Sequence, residues 1–430
     1  MPLSRINSAS IANSAISAAD IADGTITAVK IISVANTQIT GNIISSQIAS
    51  VNGSVITANT IANSAIQTGA VENYMNAAGL GFGMRNRIIN GAMVIDQRNA
   101  GASVTPANGD YTLDRIKVAT TQASKFTVQQ NAGAVTPPSG FKNYLGVTSS
   151  SAYSVVSSDY FLIGQALEGF NTSDLGFGAA SASTITLSFW VRSSLTGTFG
   201  GAINNSAYSR SYPFSYTVST ANTWEQKSVT IAGDTTGTWI GATNGVGLYA
   251  WFNLGTGSTG STTANAWAAG SYYAPTGATS VVGTNGATFY ITGVQLEKGS
   301  TATSFDYRPY GTELALCQRY YYRIGALASQ NTFGIAIADG ATAGVVIGNF
   351  PTTLRTSPSA LEQSGAASDY VIRTGGNSRT CSAVPTFDSG TNVNIWHIQT
   401  TVASGQTAGQ GGFLRAGSVT TAYLGWSAEL

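Results

Sequence analysis

Near the start of the chain, an apolar residue recurs at every fifth position. The anchors fall in two runs separated by an interruption, and they are Ile6, Ile11, Ile16, Ile21, Ile26, Ile31, Val51, Ile56, Ile61, Ile66 and Val71. A step of five matches neither the 3.6-residue period of a helix nor the two-residue period of a strand. We therefore expect each pentad to form one structural unit that turns its branched residue toward a shared axis.

Two architectures satisfy this pattern, a single-chain solenoid and a fibre of several identical chains. A four-sided solenoid needs about 20 residues per coil, so either run would complete little more than one coil. One branched residue in five also cannot offset backbone ordering of roughly 1–2 kcal/mol per residue. The pattern favours the multi-chain fibre, so residues 1–72 are predicted to form an oligomeric stalk with all eleven anchors on its axis.

After a glycine-rich joint at 73–84, the pattern changes to alternating apolar and polar residues with many aromatics. Turn pairs such as Asn108-Gly109 and Asn285-Gly286 separate the runs, which include 111–118, 125–128, 185–191, 224–231 and 288–296. This alternation is typical of half-buried strands. The sequence therefore predicts an all-β chain, with an antiparallel β-sandwich of jelly-roll type over residues 85–310.

The second half begins with the best helix candidate in the chain. Residues 312–324 (TELALCQRYYYRI) offer Thr312 as an N-cap and Glu313 near the positive helix end, which predicts a helical connector over 311–325. Beyond it, short alternating runs predict a smaller C-terminal β-sandwich over 326–430.

Charge is scarce, because Asp, Glu, Lys and Arg make up 9% of the chain against about 25% in an average protein. The net charge of +1 and the scattered basic residues argue against nucleic-acid binding. No apolar run is long enough to cross a membrane and no signal peptide is recognisable, so membrane insertion is not expected. Cys317 and Cys381 are predicted to be reduced thiols.

Candidate catalytic chemistry is weak. Two acid pairs lie close in sequence, Asp110 with Asp114 and Glu168 with Asp174. Asp110 is more simply explained as a turn residue, and Glu168 as a hydrogen-bonded core acid. The single histidine, His397, lies in an alternating run, and the glycine-rich stretch 255–260 is better explained as a loop than as a dinucleotide site. We therefore predict no catalytic residues, no metal and no cofactor.

Binding chemistry is better represented. Sugars are recognised by aromatic faces that pack on C–H patches, together with amide and hydroxyl groups. Aromatic residues near turn-rich segments, and arginines and a tryptophan near the C-terminus, are the candidates for ligand binding: Tyr208, Tyr212, Trp251, Trp267, Tyr272, Tyr273, Arg373, Arg379 and Trp426. By contrast, Trp190 and Trp224 lie within alternating runs and are predicted to be core residues.

Several unrelated motifs occur in an order that resembles the tail fibre, or receptor-binding, proteins of tailed bacteriophages. After the pentad stalk come RNRIINGAMVIDQRNAG (85–101), YTLDRIKV (111–118), FYITGVQLEKGSTATSFDYRPYGTELALCQRYYYR (289–323), FPTTLRTSPS (350–359) and GWSAEL (425–430). The resemblance implies a homotrimeric fibre of the virion, with its N-terminal end on a tail or baseplate protein. It also implies a middle domain similar to carbohydrate-binding jelly rolls and a distal C-terminal tip.

The sequence thus favours multivalent, non-catalytic binding of host surface polysaccharide or lipopolysaccharide. Two alternatives stay open at this point: a tailspike-type depolymerase that cleaves the polysaccharide, and a purely structural fibre spacer or adhesin. Weak single sites suffice for the favoured function, because several linked sites raise the overall avidity by orders of magnitude.

Overall fold

The structure is a computed structural model that describes residues 84–430. The predicted stalk, its eleven axial residues from Ile6 to Val71 and nearly all of the predicted joint lie outside the described residues. The prediction of an all-β chain is confirmed for the described part, in which strands and turns dominate.

Fourteen strands form the first part of the fold. They are β1 (Tyr111–Leu113), β2 (Ile116–Thr120), β3 (Phe126–Gln130), β4 (Leu145–Ser149), β5 (Tyr160–Glu168), β6 (Ile185–Ser193), β7 (Gly197–Asn205), β8 (Arg210–Val218), β9 (Glu225–Ile231), β10 (Val246–Thr256), β11 (Ser261–Thr262), β12 (Ala268–Ala269), β13 (Ala274–Pro275) and β14 (Thr288–Lys298). Short 3₁₀ turns occupy Ala132–Ala134, Gly169–Asn171, Ser173–Leu175 and Ser258–Gly260.

Two antiparallel sheets pack face to face to form the predicted sandwich. One has seven strands in the order β1-β2-β5-β10-β7-β8-β12, and the other has five in the order β3-β4-β14-β6-β9. A two-stranded ribbon of β11 and β13 lies beside them. The inward-facing residues of both sheets form one core that includes Phe189, Phe199, Phe252 and Phe289, and alternation along each strand leaves a second face on the outside.

The helix is shorter than predicted. It spans Tyr310–Gln318 (α1) and is preceded by Pro309, so Thr312 is not its N-cap. The remainder of the predicted connector is a strand, β15 (Tyr321–Gly325), since its aromatic and branched residues suit a sheet.

The C-terminal part contains β16 (Thr332–Ala338), β17 (Ala343–Asn349), β18 (Glu362–Gln363), a 3₁₀ turn (Ala367–Asp369), β19 (Tyr370–Thr374), β20 (Asn377–Phe387), β21 (Ile395–Val402), β22 (Gly411–Ala416) and β23 (Tyr423–Ser427). The prediction of a second β-sandwich is wrong, because six of these strands close into a barrel in the order β16-β17-β21-β20-β19-β22. Beside the barrel, β15, β23 and β18 form a small sheet.

Small residues inside the barrel explain why it can close tightly around a large side chain. Trp396 is fully buried and lies against the backbone of Gly334 and Gly348. A Cβ atom on Gly348 would lie 2.1 Å from the Trp396 ring. Glycine at these positions therefore makes room for the indole, and a closed barrel leaves no free sheet edge.

Charged residues join the sandwich to the C-terminal part. Arg115, which is buried, pairs with Glu429, and Lys117 donates a hydrogen bond to the Leu430 carbonyl at 2.7 Å. On the neighbouring strand, Glu168 accepts hydrogen bonds from Arg319 and Tyr320. Since these are buried or half-buried polar contacts, their geometry fixes how the two parts meet within residues 84–430.

Both cysteines are free and buried, which agrees with the predicted reduced thiols. In the part of the chain that the structure describes, no helix has the length and apolar character needed to cross a membrane.

Candidate functional site

The outer face of the seven-stranded sheet carries a tryptophan that lies flat on the strands. Trp251 on β10 is paired in register with Gly164 on β5 and Ala202 on β7. A Cβ atom on Gly164 would lie 2.7 Å from the Trp251 ring. The two small neighbours therefore create the space in which the indole lies against the sheet.

Tyrosine rings extend from this tryptophan into a layered cluster. Tyr249, two residues earlier on the same face, stacks on Trp251 with ring centroids 5.4 Å apart, and Tyr208 stacks on Tyr249 at 4.8 Å. Tyr273 meets Tyr208 edge-on at 5.8 Å, and Tyr160 lies 5.0 Å from Tyr273. We call these five residues the aromatic platform; its four tyrosines are half-buried, while Trp251 is fully buried beneath them.

Polar groups border the platform on the adjacent strands. Asn204 is paired in register with Tyr249, and its amide nitrogen donates to the Ser211 hydroxyl at 2.8 Å and to the Tyr272 carbonyl at 2.9 Å. Its side-chain oxygen is buried and has no hydrogen-bond partner within residues 84–430. On the β7 and β8 side the border therefore consists of buried amide and hydroxyl groups, whereas on the other side Lys117 of β2 is paired with Gly164.

Three of the platform tyrosines, Tyr208, Tyr249 and Tyr160, are neutral phenols over a wide pH range. Burial raises the pKa of Tyr208, and the neighbouring Tyr249 raises it further. Burial likewise raises the pKa of Tyr249 and of Tyr160. These hydroxyl groups therefore keep their protons well above neutral pH, and each can both donate and accept a hydrogen bond.

The structure brings together some of the predicted binding residues. Tyr208 and Tyr273 belong to the platform, and Tyr272 lies at its border through its backbone carbonyl. Trp251 supports the platform from below. It is 1% exposed, so the prediction that its ring meets a ligand directly is corrected: that ring is covered by Tyr249.

Two further predicted residues lie in a different cluster. Tyr212 and Trp267 pack on each other at 5.2 Å, and Trp267 also contacts Trp239 at the edge of the sandwich core. Tyr212 is buried on the inner face, which corrects its prediction as a ligand contact. The Trp267 nitrogen donates to the Ala232 carbonyl at 2.7 Å, so this ring also has a structural contact.

The C-terminal candidates do not form one site. Arg373 is exposed on β19 beside Phe413, whereas Arg379 packs near the turn at Gly405. Trp426 is fully buried against Trp396 at 4.8 Å. Its prediction as a surface residue is therefore corrected, because β23 turns this ring into the C-terminal core.

The two tryptophans predicted as core residues are both half-buried instead. Trp190 lies on the outer face of β6, opposite the buried Phe189 and Val191. Trp224 precedes β9 and donates from its nitrogen to the Thr136 carbonyl at 2.9 Å.

The acidic residues of the two candidate pairs have structural partners. Both oxygens of Glu168 accept hydrogen bonds, from Arg319 at 2.5 and 3.0 Å and from Tyr320 at 2.6 Å. Burial alone raises the pKa of Glu168, but these bonds outweigh it and hold the pKa below its usual range. Because both of its oxygens are hydrogen-bonded, the interpretation of Glu168 as a core acid is confirmed. Asp174 pairs with Arg87 at 2.8 Å.

The other acid pair consists of a turn residue and a buried residue. Asp110 accepts a hydrogen bond from the Ala107 backbone at 2.7 Å, as a turn residue does. Asp114 is completely buried and accepts two hydrogen bonds from Gln97. Burial raises the pKa of Asp114 to about 6, although the Gln97 hydrogen bonds lower it in part. Among residues 84–430, no group of three or more acidic, histidine or cysteine side chains is arranged to hold a metal ion.

A separate cavity of about 250 Å³ lies near the beginning of the described chain. Its wall includes the aromatic cluster of Phe141, Phe305 and Tyr307. Two of its charged residues engage each other, because Arg308 pairs with Glu313 at 3.2 Å. The cavity therefore offers mainly apolar surface.

Sequence reasoning missed Tyr249 and Tyr160. The available signal was the alternation Tyr249-Ala250-Trp251, which places both aromatic rings on one face of a strand. Tyr160 gave no local signal, because its contact with Tyr273 joins residues far apart in the chain.

No protein-family model matches the sequence, and no curated protein matches it. Among solved structures, partial similarity is found to the enzymatically active domain of tailspike protein 4 of bacteriophage CBA120, with 10% identity, a TM-score of 0.28, and coverage of 50% of this chain and 22% of that one. A putative sugar binding protein from Bacteroides thetaiotaomicron matches with 12% identity, a TM-score of 0.30, and coverage of 50% and 100%. The family 11 carbohydrate-binding module of Clostridium thermocellum Lic26A-Cel5E matches with 11% identity, a TM-score of 0.24, and coverage of 47% and 99%.

Proposed function

We propose that this protein is a bacteriophage tail fibre protein that attaches the virion to the host by binding surface glycan without cleaving it. In this proposal identical chains, three as the resemblance implies, assemble through the pentad stalk. The N-terminal end attaches to a tail or baseplate protein of the virion. The aromatic platform is the glycan-binding surface.

The observation that carries the proposal is the layered stack of Tyr208 on Tyr249 on Trp251, bordered by neutral hydrogen-bonding groups. Sugar rings present apolar C–H faces, which pack on aromatic rings, and hydroxyl groups, which bond to amides and phenols. No charged side chain belongs to this stack of three rings, so a neutral saccharide suits it better than an ionic ligand.

The geometry also favours binding over hydrolysis. Glycosidases need two carboxyl groups about 5–10 Å apart, one of them free to act as an acid. Glu168 is fully engaged by Arg319 and Tyr320, and Asp174 is paired with Arg87. A depolymerase would therefore have to use carboxylates other than this pair.

Binding of the purified full-length chain to a glycan array and to host cells tests the proposal. Tyr249→Ala and Tyr208→Ala each remove one ring and are expected to lower the affinity at least tenfold, while Tyr249→Phe keeps the ring. Tyr310→Ala, which removes an exposed tyrosine (63% exposed) at the apolar cavity, is the matched control and should bind normally.

Two results would contradict the proposal. Unchanged binding by both platform variants would exclude this site, and a loss confined to Tyr310→Ala would move the site to the apolar cavity. Separately, the appearance of new reducing ends after incubation with host polysaccharide would favour the depolymerase. Unchanged adsorption of particles that lack the C-terminal part would favour a structural role for that part.

A further inference from the structure

An uncovered apolar ladder crosses the outside of the C-terminal barrel. Phe413 on β22 is paired in register with Ile335 on β16, and Ile335 is paired with Ile347 on β17. In a second row, Ile337 is paired with Val345. Residues paired directly across strands lie on the same face of a sheet, so these five side chains form one continuous surface.

The ladder faces solvent and not the barrel core. Its intervening residues, Ala336, Val346 and Leu414, are buried in the C-terminal core. By contrast, Ile335 is 71% exposed and Ile337 is 48% exposed. A contiguous exposed surface of branched and aromatic side chains marks an interaction site, whereas single exposed residues do not.

Opposite charges border the two sides of the ladder. On the β19 side, Arg373 is paired in register with Phe413 and lies over its ring, and Arg415 follows on β22. On the β21 side, Gln399 is paired with Val345 and donates to Asp388 at 2.8 Å. One edge of the ladder is therefore positive and the other is negative.

We propose that this ladder is the surface through which the barrels of identical chains associate. A rotation axis that runs along the strands places the positive edge of one copy beside the negative edge of the next, whatever the number of copies. The apolar centres then cover one another. A second copy of this chain fits better than an unrelated partner because its edges are complementary to themselves under this rotation.

This inference rests on the self-association in the proposed function and assigns it a surface. The pentad pattern indicates association at the N-terminal part, whereas the ladder lies on the barrel at 332–416. The two sites are independent in sequence, so they can be tested separately in the full chain.

The experiment combines sedimentation velocity with a disulfide trap. The full-length chain carrying both Arg373→Cys and Gln399→Cys is oxidised mildly with oxidised glutathione. It is expected to yield covalent multimers that dithiothreitol returns to a single chain. A control chain carries Thr217→Cys and Gln226→Cys, two exposed positions on the sandwich, and should give only background cross-linking.

A further pair of variants tests whether trapping depends on the ladder itself or on any exposed apolar residue. Ile335→Lys, added to the trapping variant, is expected to lower the covalent yield at least tenfold, because it buries a charge at the centre of the contact. Leu327→Lys is the matched control, since Leu327 is 92% exposed but lies in a loop outside the ladder. Near-ultraviolet circular dichroism verifies that both variants keep the folded barrel.

The outcomes separate the two proposals. If sedimentation shows an oligomer but the trapping variant gives no more covalent multimer than the control chain, the proposal that the ladder is the contact surface is overturned. The proposed self-association would then still hold. A monomeric full-length chain would overturn both. Equal loss of trapping by Ile335→Lys and Leu327→Lys would also overturn the ladder as the contact surface.

Discussion

The phenol of Tyr320 donates a 2.6 Å hydrogen bond to the carboxylate of Glu168, across 152 positions of sequence. Glu168 ends β5 of the sandwich, and Tyr320 stands between helix α1 and β15. Arg319 adds two more hydrogen bonds to the same carboxylate. One buried acid therefore anchors the C-terminal part to the sandwich.

Removing this charge should weaken the anchor strongly. Glu168→Gln leaves Arg319 without its carboxylate, and we expect the free energy of unfolding at pH 7 to fall by about 3 kcal/mol. Asp174→Asn is the control, because it breaks the more exposed pair with Arg87 and should cost less than about 1 kcal/mol. Urea unfolding followed by tryptophan fluorescence measures both free energies. An equal loss of stability in the two variants would contradict the conclusion that Glu168 anchors the C-terminal part.

Asp114 should make stability fall as the pH rises through the weakly acidic range. Burial raises its pKa from 3.8 to about 6 in the folded state. Between these two values the unfolded chain has released this proton and the folded chain has not, so raising the pH favours unfolding. A pKa difference of about two between the folded and the unfolded chain corresponds to a change of about 3 kcal/mol in the free energy of unfolding.

The measurement is urea unfolding at several pH values from 4 to 7. Asp114→Asn cannot titrate, so its stability relative to the natural chain should rise with pH by up to about 3 kcal/mol. Asp110→Asn changes an exposed turn acid and serves as the control. A constant difference between Asp114→Asn and the natural chain would exclude the titration of Asp114.

The barrel core should not tolerate a methyl group at Gly348. Gly348→Ala would place its Cβ atom 2.1 Å from the buried Trp396 ring, and overpacking of this kind costs about 1–3 kcal/mol. Gly411→Ala is the matched control, because no atom lies within 4 Å of its added Cβ. Thermal unfolding should show a lower midpoint for the first variant and little change for the second.

Binding at the aromatic platform should depend little on salt. The stacked rings and the Asn204 and Ser211 groups beside them are neutral, so screening by salt should have little effect on their contacts with a glycan. We expect the glycan affinity to change less than about twofold between 50 and 500 mM NaCl. Isothermal titration at several salt concentrations measures this, and a tenfold loss would instead indicate that arginine or lysine contacts with an anionic glycan dominate.

The sequence predicted strands best where alternation is local. The pattern of 185–191 and 224–231 matches β6 and β9 closely, because each strand buries one face against a core. Tyr111–Val118 reads as one run, yet Arg115 adopts a left-handed conformation (φ 69°) that divides it into β1 and β2. The turn at the buried Asp114 and Arg115 does not interrupt the alternation of apolar and polar residues, so the sequence pattern could not predict it.

The candidate site was predicted only in part for a similar reason. Turn-rich context singled out Tyr208 and Tyr273, which do belong to the platform. It could not separate them from Tyr212 or Trp426, because aromatic residues in cores and on surfaces follow the same local pattern. The sequence also could not predict that the C-terminal strands close into a barrel. This closure depends on the pairing of β19 with β22, which are far apart in the chain.

The entry and exit strands of the barrel region pair with each other, with Gly325 opposite Tyr423 and Tyr321 opposite Ser427. The residues between these strands also contact the sandwich part directly, because Arg355 donates to the Asn244 carbonyl at 2.8 Å and Glu362 pairs with Arg98 at 3.5 Å. Replacing residues 326–422 with a different sequence would remove the Arg355 and Glu362 contacts but would keep Arg319, Tyr320 and Glu429, which bond to Glu168 and Arg115 of the sandwich. Such a layout allows one scaffold to exchange its C-terminal module by recombination at two sites that lie side by side.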